Sequence, residues 1–151
     1  MSDGEYLEDF VCPDFVSTCL KFVEGYFQQK HYHLEMARSH RIRFSKDDTF
    51  VDFSHYPEDC PRYNLMVAVG ILGDRCPGIE EKVPSWWLES EAKIASDYKA
   101  TEFTNAEQLE TVLVNFVPNT LVPLIEPLMK DKSRLRQAID KFKKWTDENV
   151  R

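Results

Sequence analysis

His31 and His33 form a His-x-His pair. On an extended strand, residues two apart project from one face, about 7 Å apart. Two imidazoles placed that way can share a metal ion, with His40 and His55 as further ligands. A metal shell needs three or four ligands, and nothing in the spacing brings the others in. The pair therefore reads as the polar face of an edge strand, and no metal or other cofactor is expected. Arg38, Arg41 and Arg43, with His40 and Lys46, are the first basic cluster of the chain. Arg41 and Arg43 share a strand face, where their forked guanidinium groups suit a carboxylate or a phosphate. Asp52, or Asp47 and Asp48, stand close enough in any hairpin to pair with them instead.

Trp86 and Trp87 follow Pro84 in an expected loop. Adjacent side chains diverge, so one tryptophan should enter the core and the other stay exposed. Exposed tryptophan is a favoured contact anchor. From Lys130 to Arg151 there are eight basic and four acidic residues. A basic helix face of this kind can bind acidic surfaces, but is ordinarily just solvated. Cys60 with His55 is a conceivable nucleophile and base. No nucleophile elbow, glycine-rich phosphate loop, or kinase or hydrolase signature is present. With only five glycines the chain is poorly equipped to build a phosphate cradle.

The elements that position these residues are organised around Arg62–Gly73. Leu65, Val67, Val69 and Ile71 alternate, which marks a central strand with one buried face. Met66, Ala68 and Gly70 are uncharged, so the other face is expected to be covered too. Before this strand, a helix is expected from about Pro13 to Gln29, with Pro13 first and Asp14 in the first turn. Phe15, Cys19, Phe22, Val23 and Tyr26 form its apolar stripe. Period-two patterns at His31–Met36, His40–Phe44 and Thr49–Tyr56 give three strands. In the first, Tyr32, Leu34 and Met36 share a face; in the others Ile42, Phe44, Val51 and Phe53 point inward. Polar turns join them at Ala37–Ser39 and Ser45–Asp48, and Pro57–Pro61 reads as a loop.

Gly73–Pro84 reads as turns, and Lys93–Lys99 as a fifth strand or a short helix. Asn105, answered by Gln108, should cap a helix bearing Leu109, Val112, Leu113 and Phe116. Pro118 must end or kink it. A short irregular helix over Asn119–Met129 and a final helix over Ser133–Asn149 complete the chain. Strands clustered together and helices at the ends give an α+β fold. Its antiparallel four- or five-stranded meander is packed by one N-terminal and two or three C-terminal helices.

The 151 residues fit one domain, with residues 1–9 as a frayed acidic terminus. The net charge of −7 disfavours nucleic-acid binding and favours a protein partner with a basic surface. Asp3–Asp9, Asp47–Asp59 and Glu80–Glu91 supply the acidic clusters. Cys12, Cys19, Cys60 and Cys76 lack zinc-knuckle spacing and read as reduced thiols in the cytoplasm. No apolar run approaches the length of a membrane span.

In layout the chain resembles the small bacterial α+β domains of unknown function that accompany polymorphic toxins. The resemblance is carried by the VAVGI strand, by Pro84-Ser85-Trp86, and by Phe103-Thr104-Asn105-Ala106-Glu107-Gln108-Leu109 before the second helix. Many such domains act as immunity proteins, so the resemblance implies a cytoplasmic protein that binds and blocks a partner. The contact residues expected from the sequence are Arg41, Arg43, Asp47, Asp48, Asp59, Trp86 and Trp87. Two alternatives are a ligand-binding or metal-dependent enzyme domain with a pocket between sheet and helices, and a phage-encoded acidic inhibitor of a host defence system imitating DNA charge. In the first, His31, His33, Arg41, Arg43 and His55 would line the pocket.

Overall fold

Helix α1 (Phe15–Gln29) buries Phe15, Thr18, Cys19, Val23 and Phe27 along one stripe. The computed structural model describes residues 14–38, 40–59, 62–73, 78–92 and 101–149. Asp14 does not open the helix as a first-turn residue. It is the N-cap, in a left-handed conformation (φ 64°); Pro13 lies outside the described residues. At the other end His31 takes φ 65°. Its N–H donates to the Gln28 carbonyl at 3.0 Å, and the Tyr32 N–H to the Phe27 carbonyl at 2.9 Å. This is a Schellman closure with histidine where glycine is usual. The Phe27 and Tyr32 rings meet edge to face beneath it.

The fold is α+β. Strands β1 (His33–Arg38), β2 (Arg41–Lys46), β3 (Thr49–Asp59), β4 (Arg62–Leu72) and β5 (Glu80–Pro84) form an antiparallel sheet in the order β1-β2-β3-β4-β5. A two-residue strand, β6 (Glu102–Phe103), pairs with the start of β4. β4 is therefore the hub expected from its alternation. The fifth strand is Glu80–Pro84, inside the stretch expected to be turns. Lys93–Lys99, the expected fifth element, lies outside the described residues. β3 continues through Pro57, expected in a loop, and its register with β4 shifts between Pro57 and Asp59. Such irregularity is where a strand tolerates a residue that cannot donate.

One sheet face is the core. Ile42, Phe44, Val51, Phe53, Leu65, Val67, Val69, Ile71 and Val83 are buried there against side chains from the helices. Phe27 stacks on Phe44 with centroids 4.3 Å apart. The register places Arg43, Asp52, Ala68 and Pro84 in one cross-strand row on the opposite face. That face is only partly covered: Met66 and Ala68 are half-buried, against the expectation of cover on both sides. Gly70 lies on it too. A Cβ there would come within 2.6 Å of the Phe50 ring and 2.4 Å of the Glu81 carbonyl oxygen.

Ser85–Glu91 is helix α2, not a loop. Helical neighbours point about 100° apart, which turns Trp87 inward (4% exposed) and leaves Trp86 outside (44%). Asn105 caps α3 (Ala106–Phe116), its Oδ1 accepting the Gln108 N–H at 2.9 Å. Gln108 Oε1 accepts in return from the Thr104 N–H. Proline lacks an N–H and crowds the previous turn. With Pro118 near its start and Pro123 inside it, Val117–Ile125 winds as a π-helix. It continues as α4 (Glu126–Lys130). Contrary to the sequence expectation, the run Ala106–Lys130 is long and apolar enough by composition to cross a bilayer. Here Leu109, Leu113, Leu121 and Ile125 from it are buried in the core. Helix α5 (Lys132–Asn149) buries Leu135 and Ile139.

Candidate functional site

The half-covered sheet face holds a cleft of about 530 Å³. Its strand side chains are placed by register. Arg41 and Ser54 are cross-strand partners, and Ser54 pairs in turn with Met66. Asp52 faces Ala68, and Ala68 faces Pro84. Met66 and Ala68 contribute apolar surface, as do Pro84, Trp86 of α2 and Phe142 of α5. The Trp86 and Phe142 rings meet edge to face, 6.0 Å apart, with Trp145 5.7 Å from Trp86. Lys82 and His40 add polar groups. This volume lies within the roughly 300–1,000 Å³ typical of ligand pockets, which pair apolar lining with a few polar groups.

Beside the cleft runs an ion-pair network. Arg43 Nε and Nη2 donate to Asp52 Oδ1 and Oδ2 at 2.6 and 2.9 Å. Arg41 Nη2 donates to the same Oδ2 at 2.9 Å. Arg43 Nη1 donates to Glu80 Oε1 at 2.6 Å, and Glu35 lies 3.7 Å from its Nε. The guanidinium sits 3.9 Å above the Phe50 ring. Burial pushes the Asp52 carboxyl up, but hydrogen bonds from Arg43 and Arg41 outweigh it and hold the group below its ordinary value. Hydrogen bonding from Arg43 likewise lowers Glu80. His55 is buried among Phe15, Tyr63 and Phe103. Burial, helped by nearby His40, pushes its pKa down to about 4.

The structure divides the contact residues expected from sequence. Arg41 and Trp86 line the cleft. Arg43 is buried in its ion pairs, and Trp87 is buried in the core, so neither offers surface to a partner. Asp47 is exposed in the β2–β3 turn at φ 54°. Asp48 pairs with Lys132 at 2.5 Å. Asp59 ends β3, and its side chain lies outside the described residues. Arg41 and Arg43 therefore pair with Asp52 and Glu80, and neither pairs with Asp47 or Asp48. Other acidic groups are also engaged internally: Glu81 pairs with Arg136 and Lys143.

The His-x-His arrangement does not form on a strand. His31 is held in the helix-closing turn, while His33 begins β1 with its Nε2 3.1 Å from Ser45 Oγ. Among the described residues no three His, Cys, Asp or Glu side chains converge as metal ligands. Of the pocket residues expected from sequence, Arg41 lines the cleft; His55 borders it but turns its ring to Phe15, Tyr63 and Phe103 on the core face, and His31, His33 and Arg43 do not line it. The cleft lies on the sheet face opposite the main core, between that face and the side chains Trp86 of α2 and Phe142 of α5. Lys82, Met66 and Phe142 were not anticipated.

No protein-family profile, curated protein or solved structure matches this chain.

Proposed function

We propose that this chain is a non-enzymatic binding protein of the immunity or inhibitor type. It blocks a protein partner by receiving a protruding group of that partner in the cleft walled by Trp86. The observation that carries this reading is Trp86 itself. A tryptophan left 44% exposed at the wall of a preformed groove is the residue type and setting of a binding hot spot. The net charge of −7 supports a partner with a basic surface, steered from a distance and weakened by salt. The immunity or inhibitor assignment rests on the layout resemblance. The test is capture from the native host at low salt with the wild-type chain and with Trp86→Ala. One protein retained by the first and lost by the second supports the reading. Equal capture by both, or no specific capture, overturns it.

The size and mixed lining of the cleft favour a second reading, a small-ligand-binding domain. A thermal-shift screen separates the two, because a bound ligand raises the melting temperature with occupancy.

A further inference from the structure

We propose that the cleft accepts a small organic monoanion: a single carboxylate carried on an aromatic or branched apolar body. This rests on the cleft being the recognition site, but not on a protein partner.

The charges of the lining point this way. Its ionised side chains are Arg41, Lys82 and Asp52. The Asp52 carboxylate is already satisfied by three N–H donors from two guanidinium groups. Arg41 commits only Nη2 to Asp52, with Glu80 4.0 Å from the same nitrogen. Its other N–H groups remain available. Lys82 is exposed; its charge helps hold the Glu80 carboxyl down, but its ammonium is not hydrogen-bonded to that carboxylate. Two cations with donors to spare flank the space, where one carboxylate would form charge-assisted hydrogen bonds. A dianion would bring a second negative charge toward Asp52, and toward Glu80 beyond the lining, with no third cation to meet it. A cation would face Arg41 and Lys82.

The apolar walls define the rest of the ligand. Trp86 and Phe142 present ring surfaces, Pro84 and Met66 add aliphatic surface, and an aromatic ring packs against such rings edge-on or offset. A bare inorganic anion would leave these walls without contact, so the apolar body supplies much of the affinity through area removed from water.

The test uses three probes of matched shape: 3-phenylpropionate, 3-phenylpropionamide and 3-phenylpropylamine, with inorganic phosphate as the bare anion. Each is titrated calorimetrically into the full chain, Trp86→Ala and Lys82→Met; both replaced residues are exposed, and melting curves check folding. The expected result is binding of the carboxylate, with the amide and amine weaker by about tenfold or more, the cost of a lost charged hydrogen bond. Phosphate should bind weakest. Both variants should weaken the carboxylate by about tenfold, and Lys82→Met should leave the amide unchanged. No binding, equal binding of all three shapes, or preference for the amine overturns the inference. If it fails while Trp86→Ala still abolishes partner capture, the protein-binding function stands. If the carboxylate binds but does not compete with a captured partner, the cleft is a ligand site and the reading that places the partner's protruding group in it fails.

Discussion

Arg43 grips both oxygens of Asp52 in a fork across β2 and β3, at 2.6 and 2.9 Å, with both residues buried. A buried charge left without its partner keeps its desolvation penalty. Asp52→Ala leaves Arg43 only its bond to Glu80, so it is expected to cost about 2–3 kcal/mol in urea unfolding, short of the roughly 3–5 kcal/mol of a fully unpaired buried charge. An Arg43→Met/Asp52→Leu double variant should recover most of that, because it removes both charges together. Equal losses in the single and double variants would show that the pair contributes shape and not charge.

Gly70 is small because Phe50 needs the room. Gly70→Ala drives a methyl into the Phe50 ring and the Glu81 backbone, an overpacking expected to cost roughly 1–3 kcal/mol or more. Adding Phe50→Leu should relieve only part of this, since the Glu81 carbonyl cannot retreat as a side chain can. Thermal melts of the single and double variants read both effects.

His55 makes stability depend on pH. Its folded pKa of about 4 lies below the ordinary value near 6.5, so the unfolded chain binds the proton first. The contribution of His55 is whole above about pH 6.5 and is lost as pH falls toward 4. It amounts to about 3 kcal/mol by linkage. His55→Phe, which keeps an aromatic ring beside Phe15 and Phe103, should flatten the fall in unfolding free energy between pH 7 and 4. An unchanged slope would place the acid sensitivity elsewhere.

The two adjacent tryptophans should separate cleanly on mutation. Trp87→Ala empties a core position and is expected to cost about 3–5 kcal/mol. Trp86→Ala removes exposed ring contacts with Phe142 and Trp145 and should cost about 1 kcal/mol. Calorimetric melting of both variants checks the contrast.

Much of the framework was legible because it depends on local pattern. The alternation in β4 fixed the buried set Leu65, Val67, Val69 and Ile71, and the Asn105 cap marked the start of α3. That Arg41 and Arg43 have hairpin carboxylates within reach is legible in the sequence, but the choice of Asp52 over Asp47 and Asp48, and with it the loss of Arg43 as a contact residue, is set by the strand register. What escaped depends on a single dihedral or on distant chain segments. His31 at φ 65° removes the His-x-His geometry without any change in residue type. The register shift in β1 sets Met36 opposite Arg43 while Leu34 is opposite Phe44, so they no longer share a face. β6 is too short to carry a pattern. The cleft joins β2, β3, β4 and β5 to Trp86 and Phe142. Residues 56 positions apart in sequence have no local signature of their meeting.

The central claim is that recognition occurs in the cleft on the half-covered sheet face. It is tested most directly by following the assigned indole N–H resonances during titration with 3-phenylpropionate. Trp86 should shift with a saturating, single-site dependence while Trp87, enclosed in the core, stays in place. Saturable binding that leaves Trp86 unmoved, or that moves Trp87 instead, would contradict the account.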